Sequence, residues 1–96
     1  MKNLAFKASL PVMFLREGKQ FVAYTPALDL SVAGNTFKQA QKYFAEAVTI
    51  LVEECQRMGT LEEVLENLGW KKHKKEWLPP VVIAHESLSF NIPAIA

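Results

Sequence analysis

Apolar positions recur every second residue near both ends of the chain and every third or fourth in its middle. Leu4, Phe6, Ala8 and Leu10 alternate with Ala5, Lys7 and Ser9, the period of a half-buried strand. Val12 to Leu15 is apolar on both faces, so the first strand is expected over 4–15, with Pro11 at an edge or bulge. The turn at 16–19 contains Gly18, and 19–25 forms the returning strand of a hairpin. Pro26 closes that strand, because it fixes its own φ and holds Thr25 extended. Leu28, Leu30 and Val32 alternate with Asp29 and Ser31, which predicts a third antiparallel strand over 28–32 and a turn at Gly34-Asn35.

The period then changes. Phe37, Ala40, Phe44, Ala47, Val48, Leu51, Cys55 and Met58 form one continuous stripe, predicting a long amphipathic helix over 36–58. Thr36 and Gln39 have capping-box spacing at its start, and Gly59 suits its end. Thr60 and Glu63 repeat the box before Leu61, Val64, Leu65 and Leu68, a second helix over 60–68. A basic run, 71–75, follows between Trp70 and Trp77, and Pro79-Pro80 break the chain. Residues 81–84 are apolar enough to extend the sheet. Leu88, Phe90 and Ile92 share one face of an alternating segment, so a last strand is expected over 86–92.

Half of the 96 residues are hydrophobic, enough for one ordinary domain over 1–96 without disulfides or metals. The net charge of +1 supplies no overall attraction to nucleic acids or membranes. No stretch approaches the roughly 20 apolar residues of a membrane-spanning helix. Cys55 is the single cysteine and falls on the helix stripe, the place of a small buried hydrophobe. Without a disulfide framework, the expected compartment is the cytoplasm.

Candidate chemistry is sparse. A two-metal nuclease needs several converging carboxylates, but the expected strands offer only Asp29 and Glu17, and Glu53 and Glu54 diverge on the helix. His73 and His85 have no Cys or Asp at ligand spacing, so no metal or cofactor is expected. Lys71, Lys72, Lys74 and Lys75, flanked by tryptophans, are candidate contacts for phosphates and stacked bases. The competing reading is a solvated loop whose tryptophans plug an edge. Tyr24, Pro26 and Asp29 mark an exposed corner suited to binding a protein partner, and an open strand edge at the tail invites pairing with another chain.

The phrase Phe-Val-Ala-Tyr-Thr-Pro-Ala-Leu, then Gly-Asn-Thr-Phe-x-x-Ala-x-x-x-Phe-x-Glu-Ala, resembles the HicB-like antitoxin family. The motif positions are Tyr24, Pro26, Leu28, Gly34, Thr36, Ala40, Glu46 and Ala47. Gly-Thr-Leu-Glu-Glu-Val-Leu, Trp-x-Pro-Pro and Ser-Leu-Ser-Phe-x-Ile-Pro further along resemble longer members. Asp29-Leu30-Ser31 stands where the family often has Pro-Gly-Cys.

The resemblance implies a partial ribonuclease-H-like fold and a non-catalytic antitoxin that neutralises a small mRNA-cleaving toxin of the HicA type. It also implies a homo-oligomer. No separate DNA-binding domain is expected after the last strand, so DNA binding is not part of the expectation. The fold expected is α+β, a small antiparallel sheet with one long helix on a face and a short second helix. The alternatives are a solitary regulator binding nucleic acid through 71–75 and a degenerate ribonuclease-H-like nuclease.

Overall fold

The computed structural model describes residues 8–94. Its class is α+β. Three antiparallel strands, β1 (Met13–Glu17), β2 (Gln20–Thr25) and β3 (Leu30–Gly34), form a sheet in that order. The helices α1 (Phe37–Met58) and α2 (Leu61–Asn67) follow, then a two-stranded hairpin of β4 (Lys71–His73) and β5 (Glu76–Leu78).

The β1–β2 connection is two residues long, with Glu17 opposite Gln20. Gly18, at φ 60°, takes the first turn position, where hairpin geometry calls for a positive φ. The first strand is shorter than expected. Residues 8–12 are not in a ladder, and the expected positions 4–7 lie outside the described residues. The third strand is shifted two residues forward from 28–32, because 26–29 form the hairpin loop and Leu28 is drawn into the core.

Cross-strand pairing sorts the side chains into faces. Phe14, Ala23 and Val32 make one row, and Arg16, Phe21 and Gly34 another, on the side covered by α1. Ala23 and Ala40 are completely buried, and Phe44 nearly so, where helix and sheet meet most closely. Met13, Tyr24 and Ser31, with Leu15, Val22 and Ala33, line the opposite face. No helix lies on that face among the described residues.

Helix α1 has the boundaries its sequence predicts. The Thr36 hydroxyl accepts from the Gln39 backbone N–H at 3.0 Å, and the Gln39 side chain accepts from the Asn35 N–H at 2.9 Å. Gly59 ends the helix at φ 72°, with its N–H donating to the Gln56 carbonyl while the Thr60 N–H reaches Cys55. These paired bonds form a Schellman closure. Thr36→Ala is expected to cost about 1 kcal/mol, read as a lower urea midpoint with unchanged slope.

The box expected at Thr60 does not form. Its hydroxyl turns back to the Cys55 carbonyl at 3.5 Å, because Thr60 already belongs to the closure of α1.

A second core gathers Ala27, Leu28, Leu65 and Trp70, with Leu10, Leu51, Leu61, Leu68 and Trp77 around it. It joins the β2–β3 loop to α2 and the hairpin. The basic segment expected as a loop is thus a hairpin, whose turn is made by Lys74 at φ 60°. The strand expected over 86–92 is not formed, nor do 81–84 extend the sheet: residues 79–94 form no ladder. Among the described residues, the alternating segment pairs with no strand.

Candidate functional site

The loop between β2 and β3 is the most completely wired part of the surface. Pro26 begins it, and the Asp29 N–H returns to the Pro26 carbonyl at 3.3 Å, closing a four-residue turn. The Thr25 hydroxyl, fully buried with its residue, accepts from the Ala27 N–H at 3.3 Å. The Ala27 carbonyl accepts from the Trp70 indole Nε1–H at 2.7 Å. Both backbone groups of a buried residue are therefore satisfied, one locally and one from across the chain.

Asp29 adopts φ 49°, a left-handed conformation that Asp and Asn tolerate better than other side-chain-bearing residues. Its carboxylate accepts from the Tyr24 hydroxyl at 3.2 Å. Partial desolvation, then this hydrogen bond and the charge of Asp29, push the Tyr24 phenol above its ordinary pKa near 10.0. Tyr24 thus remains a neutral donor through the physiological range. What the contact contributes is present below the unfolded pKa and is lost only as pH rises through the raised folded value.

The result is a polar tip on a fixed base. Pro26 and Asp29 are exposed and Tyr24 is half-buried, while Ala27 and Leu28 anchor the loop in the core. Tyr24 also borders the uncovered sheet face.

Most motif positions serve as scaffold. Leu28 and Ala40 are core, Gly34 permits close approach of α1, Thr36 is the cap, and Ala47 is half-buried. Glu46 is exposed on α1, away from the corner.

The basic residues do not converge on the corner. Lys72 and Trp77 are cross-strand partners, and Lys72 Nζ sits 3.2 Å from Glu62 Oε2. Lys72, Lys74, Lys75 and Trp77 border a cleft of about 590 Å³ against Gln56 and Glu62. Lys71 belongs to an adjacent shallow cleft beside Glu66. Carboxylates thus interrupt the positive surface, and Trp77 is partly spent on packing against the second core. Base stacking on it is correspondingly restricted.

Nuclease chemistry fares no better on geometry. Glu17 and Asp29 stand at opposite ends of the sheet, since β2 runs between them from Gln20 to Thr25. No group of three His, Cys, Asp or Glu side chains able to hold a metal occurs among the described residues. Cys55 is buried in α1. His73 pairs across the hairpin with Glu76, and His85 lines a small cavity with Pro11, Met13 and Pro26. No helix among the described residues is long and apolar enough to cross a membrane.

Sequence reasoning placed Tyr24, Pro26 and Asp29 at one corner, and the structure brings them together. It missed Trp70 as their support and Thr25 as the internal acceptor. The reading in which the flanking tryptophans plug an edge pointed to packing at Trp70, without naming the β2–β3 loop as what it supports.

Comparison with known proteins adds no assignment: no family profile, curated protein or solved structure matches this chain. Its fold and surface define a small α+β module with a buttressed corner and an open sheet face.

Proposed function

We propose that this protein is a non-catalytic, antitoxin-like binding module acting in the cytoplasm, with the partial ribonuclease-H-like architecture that its motif resemblance implies. Its partner is a small mRNA-cleaving toxin of the HicA type. The observation that carries this reading is the corner at 24–29. It presents a Tyr–Asp pair on a loop held by buried hydrogen bonds, beside a sheet face that no helix covers. Such pre-organisation lowers the ordering cost of association. The motif spacing from Tyr24 to Ala47 supplies the identity of the partner class.

The reading expects a small basic protein in the neighbouring reading frame, and the test is co-expression with it. The pair is expected to co-purify, and this chain is expected to abolish the partner's RNA cleavage. Tyr24→Ala combined with Asp29→Ala should weaken the complex at least about tenfold, or about 1.4 kcal/mol. Lys71→Ala with Lys75→Ala should leave it unchanged. Failure to co-purify, or unimpeded cleavage in the mixture, overturns the reading.

A further inference from the structure

We propose that residues 86–92 of one chain add as a strand beside β1 of a second copy, giving a reciprocal, tail-exchanged dimer. The segment alternates Leu88, Phe90 and Ile92 with Ser87, Ser89 and Asn91. The three apolar side chains are 66%, 77% and 81% exposed, which a soluble monomer rarely sustains in one contiguous segment. Among the described residues, none from 79 to 94 makes a hydrogen bond to the body. Its alternation is that of a strand, and among the described residues it is paired with none.

Strand β1 offers the complementary vacancy. Among the described residues it pairs with β2 on one side only, and such an edge is a template for another strand. Phe14 and Leu15 project to opposite faces of the sheet at 38% and 46% exposure, so the apolar row of an added strand finds an exposed apolar side chain on either face. The lengths agree. Seven extended residues span about 23 Å and the five of β1 about 17 Å, at roughly 3.3–3.4 Å per residue.

The tail comes close to its own sheet without pairing with it. Val82, Ala84 and His85 pass beside Pro11, Met13 and Pro26, at the beginning of β1. Beyond that point the chain forms no ladder with its own β1, and Leu88, Phe90 and Ile92 stay exposed.

A standard interface covers roughly 800 Å² per partner. A two-fold axis lets each tail occupy the other's edge with one set of contacts used twice, so the assembly closes.

The experiment uses the chain alone, so its outcome is independent of any toxin. Sedimentation equilibrium of the full chain is expected to give a dimer. A chain ending at His85, and the full-length variant Leu88→Ser, Phe90→Ser, Ile92→Ser, should both sediment as monomers while retaining the helical circular dichroism of the parent. Amide exchange should slow at 86–92 and along β1 as protein concentration rises. A monomer at every concentration overturns the proposal, as does a dimer that survives the triple substitution. Protection of 86–92 that is independent of concentration also overturns it, since that would place the tail on its own sheet. Should the shortened chain not fold, the triple variant and the exchange data decide alone.

Discussion

Gly34→Ala is expected to destabilise the protein by about 2–4 kcal/mol, among the largest effects of any single methyl group in this chain. A Cβ on Gly34 would stand 2.6 Å from the Ala40 backbone nitrogen and 2.9 Å from the Gln39 carbonyl carbon and Cβ. Backbone atoms supply the two nearest contacts, so no rotamer change relieves them. Relief requires the first turns of α1 to lift from the end of β3. That movement would open the contact between Ala23 and Ala40, both fully buried.

The informative control is Gly18→Ala. Its Cβ would meet nothing within 4 Å, but φ is 60°, so backbone strain alone applies, about 1–2 kcal/mol. Urea denaturation followed by helical signal separates the two, because both variants should keep the parental slope. Gly34→Ala with a midpoint no lower than that of Gly18→Ala would show that the close approach is not a constraint.

The contrast between these glycines shows what sequence could disclose. Gly18, between two alternating runs, carries its reason locally and is legible as a turn. Gly34 also reads locally as a turn, with Asn35, yet its constraint comes from a helix packed against it. Helix α1 is legible for the same reason as Gly18. Its stripe, its cap at Thr36 and its stop at Gly59 all lie within a few residues of the bonds they make.

The hairpin at the basic run was not legible. Lys71 to Lys75 has low strand propensity, and Lys74 occupies a positive-φ position usually signalled by Gly or Asn. The tail poses a different problem. Leu88, Phe90 and Ile92 have the alternation of a strand, but periodicity reports what a segment can become without naming the edge it pairs with. The candidate corner was legible in part. Tyr24, Pro26 and Asp29 are neighbours in sequence, whereas the indole that holds them comes from 43 residues away.

Trp70 is therefore the side chain whose replacement should tell most about the corner. Trp70→Ala removes a nearly buried indole and is expected to cost about 3–5 kcal/mol, a large share of a small domain's stability. Trp70→Phe keeps much of the apolar contact with Leu65 and Leu28 but loses Nε1–H. The Ala27 carbonyl is then left buried without its donor, at about 1–3 kcal/mol.

The two variants differ in what they do to the loop. The Thr25–Ala27 and Asp29–Pro26 bonds remain in Trp70→Phe, so the turn persists but is no longer tied to the end of α2. Amide exchange at residues 27–29 should accelerate in Trp70→Phe while the amides in the middle of α1 change only with global stability. If the corner binds the toxin, Trp70→Phe should weaken that complex without removing any group that the partner touches. The tail-dependent dimer should remain, because residues 86–92 and β1 lie outside the second core. Equal loss of toxin binding and dimerisation would mean that both depend on general stability, and that the Trp70–Ala27 bond has no separate role in presenting the corner.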